Sequence, residues 1–325
     1  MRHPAERPAA YRPGQANDSS VDRQGVARLI AADYGGVASR QALITSGMST
    51  GTIRAEVNAG RWWRLGVHTI GIGASAMTQA PALWWWAVWE AGPGAMLDGA
   101  SALQASGLTG WEERDVHVSV PHKNAAHPRN GLIVHRPRCP GPAMGAGVPR
   151  VRPEVAVIRG AQWARTDRAA ATLVAMAIQQ RVTSPDRVLA AWAEIRRSRR
   201  RVLLSAVIGD VCDGAQSLGE LDFAALCRAR GLPQPTRQAV CRGPKGRIYL
   251  DALWEDIGLH VEIDGVQHFQ ALAPVDDALR QNAVALQGAM TLRIPVLGLR
   301  LQPGAFMDQV GAAHATASLR TLGLR

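Results

Sequence analysis

Lysine is almost missing from this chain. Of 37 basic residues only Lys123 and Lys245 are lysines, and the rest are arginines. Any chemistry that needs a lysine therefore has two positions to draw on. Paired cysteines are missing too. Cys139, Cys212, Cys227 and Cys241 form no C-x-x-C pair, which excludes zinc-ribbon spacing and suggests reduced thiols in a cytoplasmic protein. The first nineteen residues, MRHPAERPAAYRPGQANDS, have no apolar core of the kind a secretory leader needs. Their Pro, Ala and Arg content reads as a disordered tail over residues 1–19. A charge-free stretch, Leu65–Trp89, is broken by Gly71, Gly73, Thr78, Gln79 and Pro81, so a strand and a helix are expected there, and no membrane partner. No internal repeat is present.

What remains is arginine, apolar residues and a few well-placed acids. At 325 residues the chain is long enough for two or three domains, and 47% hydrophobic residues can fill their cores. A net charge of +11 and a pI of about 10.7 suggest a polyanionic partner, DNA above all. Ser20 reads as the start of a first helix, with Val26, Leu29 and Ile30 as its apolar stripe and Gly35-Gly36 as its stop. Ser39 caps a short helix around Gln41–Ile44 that Gly47 ends. Ser49 caps a third, Thr50–Ala59, that Gly60 ends. RWWRLGVHTIGIG then reads as two strands with Gly66 at the turn. Three helices and a hairpin over residues 20–74 form a winged helix-turn-helix pattern. Its third helix would offer Thr50, Thr52, Arg54 and Asn58 to a major groove, with Arg61 and Arg64 on the wing.

Residues 75–150 read as a middle α/β unit. Trp84, Trp85, Trp86 and Trp89 share a helix, Trp85 and Trp89 on one face, and strands are expected over Asp115–Val120 and Gly131–His135. His117, His122, His127 and His135 are close in sequence, but no carboxylate or thiol pattern accompanies them, so they read as structural or surface residues. A helical connector follows over 151–207. Its basic run, Arg196-Arg197-Ser198-Arg199-Arg200-Arg201, suits either a solvated face or phosphate contact.

The last segment, 208–325, reads as a mixed sheet flanked by helices. A helix is expected from Ser217 to Gly231. Strands are expected at Arg237–Val240, Arg247–Trp254, His260–Asp264 and Met290–Leu299, with a helix over Asp277–Gln287. Strand alternation puts Val261 and Ile263 on one face and Glu262 and Asp264 on the other. A hairpin brings Asp251 near Glu262 if the register sets them opposite. Converging carboxylates repel one another, and a hard divalent cation, Mg²⁺ or Mn²⁺, resolves that conflict.

The run RIYLDALW…LHVEIDGVQHF, with Glu220 upstream, resembles the PD-(D/E)XK nuclease superfamily. It is most similar to the uncharacterised family that looks like very-short-patch-repair endonucleases, whose pattern is D…E-x-D-G-x-x-H. Asp277-x-x-Arg280 and Leu286-x-Gly288 also fit that pattern, and the match spans about residues 215–315. The resemblance implies a restriction-endonuclease-like fold. It implies that Asp251 is the central metal ligand, that Glu262 is a second ligand or helps hold metal-bound water, that His268 is a general acid/base or polarises a phosphate, and that Glu220 completes the acidic cluster. Asp264 stands where the wider superfamily usually has lysine. The N-terminal run GGVASRQALITSGMSTGTIRAEVNAGRWWRLGVHTIGIG is similar to the winged-helix domain of AbiEi-type abortive-infection antitoxins, with Val67-His68 in place of the usual Val-Tyr. GPGAMLDGASALQASGL resembles that family's middle region. This second resemblance implies DNA binding.

Together these readings give an α+β chain with two expectations for function. One is a DNA-binding, Mg²⁺-dependent endonuclease, with Asp251, Glu262, Asp264, His268 and Glu220 at its site. The other is a non-catalytic, antitoxin-like DNA-binding regulator whose nuclease fold is vestigial. A protein-interaction module with incidental basic charge is a third class, which neither motif favours.

Overall fold

A computed structural model of the chain describes residues 20–73, 80–123, 129–144, 146–212, 221, 223–242, 248–264, 275, 278–279, 282 and 291–323. The expected N-terminal tail, Glu220, His127 and His268 lie outside these residues. The fold is α+β, with three small sheets. The chain divides into two compact units. The first runs up to Leu97 and includes Arg114–Arg150, and the second comprises Asp98–Glu113 and Val151 onward.

The first unit begins with helix α1 (Ser20–Ala32), strand β1 (Val37–Ser39), helix α2 (Arg40–Thr45) and helix α3 (Thr50–Asn58). Strands β2 (Trp62–Arg64) and β3 (Thr69–Ile72) follow, and the sheet order is β1-β3-β2, antiparallel throughout. The caps are those expected. Ser39 Oγ accepts from Ala42 N and Ser49 Oγ from Thr52 N, each at 3.0 Å. Each supplies a partner for a helix N–H that has none within the helix. Gly36, Gly47 and Gly60 take positive φ values of 88°, 97° and 69° where helices stop. The expected stripe of α1 needs correction. Leu29 is 76% exposed, while Ala27 and Ala31 are buried and Val26 and Ile30 pack partly beside them. The face that meets the core is set by two alanines, whose small side chains let α1 lie close against Leu43, Ile53, Trp62 and Ile70.

Helix α4 (Ala80–Ala91) carries the tryptophans. Trp85 and Trp89 both meet Tyr34 edge-on, with centroids at 4.8 and 5.3 Å. Trp86 is buried and its indole N–H donates to Leu65 O at 3.2 Å. Strands β4 (Met96–Leu97), β5 (Val116–Ser119), β6 (Leu132–His135), β7 (Ala143–Met144) and β8 (Arg150–Val151) make a sheet of order β6-β5-β4-β8-β7. The two strands expected around His117 and His135 pair in parallel, Val116 opposite Leu132 and Ser119 opposite His135.

The second unit opens with α5 (Gly99–Gln104), α6 (Pro153–Trp163), α7 (Asp167–Gln179), α8 (Pro185–Ala193) and α9 (Arg201–Cys212). Gly160 lets α6 cross α5 closely, because a Cβ there would fall 2.5 Å from Leu173 Cδ2 and 3.2 Å from Ala100 N. Buried Asp98 caps α5 at Gly99 N and pairs with Arg159 at 2.6 Å. Helix α10 (Phe223–Ala229) then leads to β9 (Arg237–Arg242), β10 (Ile248–Trp254) and β11 (Leu259–Asp264). Strand β12 (Thr291–Pro295) and helices α11 (Val296–Leu301) and α12 (Pro303–Thr321) complete the unit. The sheet order is β12-β11-β10-β9, antiparallel except for the parallel β11–β12 pair, which makes it mixed.

The long strand expected over Met290–Leu299 is corrected to a five-residue strand followed at once by a helix. Pro295 has no N–H for a ladder, and it serves as the N-cap residue of α11. Of the helix expected over Asp277–Gln287, the described residues 278, 279 and 282 are helical. Among the described residues no helix is long and apolar enough to cross a membrane.

Candidate functional site

The four-stranded sheet has two unlike faces. Along β11 the residues alternate buried and half-buried, with Leu259, Val261 and Ile263 inward. Leu250, Ala252, Trp254, Leu292 and Ile294 share that apolar face. Phe223 of α10 and His314 of α12 meet Trp254 edge-on there, at 6.3 and 5.8 Å. Residues of opposite parity, His260, Glu262 and Asp264 on β11 and Asp251 on β10, therefore fall on the other face.

The register sets Asp251 directly opposite Glu262. Such cross-strand neighbours have Cβ atoms about 4.5–5.5 Å apart, so the two carboxylates are adjacent. Their side chains are 25% and 12% exposed, open enough for a solute and dry enough for charge to matter. Each meets a basic side chain of the protein. His260 Nε2 contacts Asp251 Oδ1, and Arg293 Nε lies 3.2 Å from Glu262 Oε2. Arg293 stands opposite Glu262 in the parallel β11–β12 pair, so the ion pair follows from the register.

Neither His260 nor Arg293 was singled out from the sequence. His260 was findable, because LHVEID alternates and places His260 on the same face as Glu262. Attention to the motif led instead to His268, which, with Glu220, lies outside the described residues. Arg293 depended on the pairing of β12, which no local pattern announces. Its backbone is also held from the far side. Buried Asn282 donates from Nδ2 to Arg293 O at 2.9 Å and accepts from Arg293 N at 3.1 Å. One side-chain amide thus closes part of the sheet edge. Asn282 also donates to Gln309 Oε1, whose own amide donates to Leu279 O.

The oxygen pair suits a hard cation. Mg²⁺ binds through one or two carboxylates and keeps several waters, and Asp251 with Glu262 supplies that donor set. Among the described residues no group of three His, Cys, Asp or Glu is placed to enclose a metal. Cys227 is buried, and burial pushes its thiol up to about 11, so it stays protonated at neutral pH. In the first unit His117 Nδ1 and His135 Nε2 share a hydrogen bond of 3.0 Å between stacked rings.

The expected nucleic-acid contacts form a partial cluster. Thr50, Arg54 and Asn58 follow one another at every fourth position of α3 and are exposed. Thr52 is half-buried and its hydroxyl bonds Ser49 Oγ at 3.0 Å. Arg61 is held by buried Glu56, Nε to Oε2 at 2.5 Å, and that guanidinium keeps the Glu56 carboxyl below its ordinary 4.5 against the opposing effect of burial. Arg64 Nε donates to Gly66 O at 3.2 Å.

Glu90, at the end of α4, is a further residue that sequence reading passed over. Its carboxylate accepts from Val67 N at 2.9 Å, His68 N at 2.7 Å and Thr69 Oγ1 at 2.9 Å, and Arg129 lies 3.4 Å away. A Cβ on Gly66 would fall 2.2 Å from that carboxyl group, so the turn between β2 and β3 is fitted to it. The signal was a lone acid directly after a charge-free run, where a buried carboxylate must find donors. The chain matches no protein-family model and no curated protein sequence.

Proposed function

We propose that this is a DNA-binding protein whose second unit carries a metal-dependent endonuclease site. The observation that carries the reading is the register that sets Asp251 opposite Glu262 on the half-open face of the mixed sheet. The first unit supports the DNA-binding half. Three helices, two of them capped by serines, with a β1-β3-β2 sheet support a winged-helix reading, and α3 offers Thr50, Arg54 and Asn58 on one exposed face. The resemblance to very-short-patch-repair-like nucleases and to AbiEi-type antitoxins points the same way.

In this reading Asp251 and Glu262 hold Mg²⁺ or Mn²⁺. When bound, such an ion lowers the pKa of a coordinated water and offsets charge that develops on a phosphodiester. His260 steadies the Asp251 carboxylate, Arg293 orients Glu262, and Asp264 lies on the same face. The test is nicking of supercoiled DNA with Mg²⁺, Mn²⁺ or EDTA. Metal-dependent nicking that Asp251→Ala reduces to background, with DNA affinity retained, supports the site. Undiminished nicking by that variant refutes it.

A second reading has its own observation. Asp251 and Glu262 already meet His260 and Arg293, and an acid replaces the superfamily's usual lysine. A non-catalytic, antitoxin-like DNA-binding regulator would keep such partnered carboxylates for packing. Salt-sensitive DNA binding with no cleavage on any substrate would select it.

A further inference from the structure

The loop between α8 and α9, with the first residue of α9, holds five arginines around Ser198, and they fall into two groups. Arg200 and Arg201 build the loop. Arg200 adopts φ 54°, a left-handed conformation that L side chains rarely take. Its guanidinium fixes it there, with Nε on Asp167 Oδ1 at 2.6 Å, Nη1 on Gln162 O at 3.1 Å and Nη2 on Arg165 O at 3.4 Å. Arg201 donates to Ile195 O, and its guanidinium carbon lies 5.2 Å from the centroid of the Trp192 ring. Ser198 accepts from Gln162 Nε2 at 2.9 Å and donates to Arg199 O at 2.6 Å. Arg196, Arg197 and Arg199 are the exposed remainder.

This loop is also tied to the sheet that carries Asp251. Arg201 begins α9, and nine residues on, roughly 14 Å along a helix, buried Asp210 accepts two hydrogen bonds from Arg300. Arg300 lies in α11, which follows β12 without a break. Its distance from that anchor is thus set by a rigid helix.

We infer that Arg196, Arg197 and Arg199 form a phosphate-backbone contact for duplex DNA on the second unit. The inference rests on the DNA-binding reading above and adds a second place where DNA is held. Arginine suits the task because its fork of donors matches phosphate oxygens. A loop already fixed by two other arginines and a serine loses little further freedom on binding. The neighbouring acids do not cancel the charge, since Asp167 is engaged by Arg200 and Glu194 is one against three. Such contacts position DNA without reading its sequence.

The test uses the full chain and a labelled duplex, with affinity measured across a range of salt concentrations. Wild type is compared with the triple variant Arg196→Gln, Arg197→Gln, Arg199→Gln. A control triple, Arg138→Gln, Arg187→Gln, Arg320→Gln, changes three exposed arginines elsewhere and alters net charge equally. Each phosphate contact contributes about 0.9 to the slope of log affinity against log salt, so the loop triple loses roughly 2 to 3 in slope and the control keeps the wild-type value. An unchanged slope in the loop triple overturns the inference, and so does an equal loss in the control. Wild type that binds no duplex at any salt overturns the DNA-binding reading itself.

Discussion

Two groups of carboxylates in this chain have opposite surroundings. Glu90, in the first unit, is wholly buried and accepts from two backbone N–H groups and a threonine hydroxyl, with Arg129 beside it. Its partners belong to the β2–β3 turn, and Gly66 is shaped to admit it. Asp251 and Glu262, in the second unit, stand side by side on a half-open sheet face, where His260 meets the first and Arg293 the second. A carboxylate enclosed by backbone donors is architecture, because moving it would strand those donors in a dry place. Two carboxylates adjacent on an accessible face repel each other, and a metal cation between them would relieve that repulsion.

Substitution separates the two groups. Glu90→Ala should show the largest stability loss, about 4 kcal/mol, because it leaves Val67 N, His68 N and the Thr69 hydroxyl without their acceptor. Denaturant unfolding followed by tryptophan fluorescence would report it. A loss below about 1 kcal/mol would show that water replaces the carboxylate and that the turn is not clamped.

Asn282→Ala comes next. It removes the amide that closes the edge of β12 at Arg293, and should cost about 2 kcal/mol. If Arg293 is positioned through its backbone, the Glu262 contact loosens as well, and metal affinity falls with stability. Stability lost without any change in metal affinity would separate edge closure from the site.

Asp251→Ala should change stability by less than about 1 kcal/mol, since a half-exposed pair contributes little. A loss as large as that of Glu90→Ala would make Asp251 architecture too, and the comparison would collapse.

The smallest effect concerns pH. Glu56 is held below its ordinary 4.5 by Arg61. A depressed carboxyl contributes stability that is fully present above its unfolded value and is lost as pH falls through the folded one. Acid unfolding should therefore lose stability below about pH 4.5, and Glu56→Gln should flatten that limb. An unchanged acid limb in Glu56→Gln would show that the pair contributes nothing.

Much of this was legible in the chain because the signals were local. Ser39 and Ser49 announced their helices, Gly47 and Gly60 ended two of them, and the alternation of LHVEID fixed which residues of β11 face inward. Long-range choices were harder to read. Leu29 looked like core by spacing, but Ala27 and Ala31 won that face because small side chains allow a closer approach. Pro295 inside an apolar run marked the end of β12, and the run was read through it as one strand. Arg293 and Asn282 meet only after β12 has found β11. The opposition of Asp251 and Glu262 needed a hairpin register that the sequence allowed and the structure supplies.

The most direct test of the central claim is Mn²⁺ binding by electron paramagnetic resonance, with wild type, Asp251→Asn, Glu262→Gln and the double variant. The account predicts a bound ion in wild type that each single variant weakens and the double variant loses, with folding intact by circular dichroism. Equal Mn²⁺ binding by wild type and the folded double variant would contradict it.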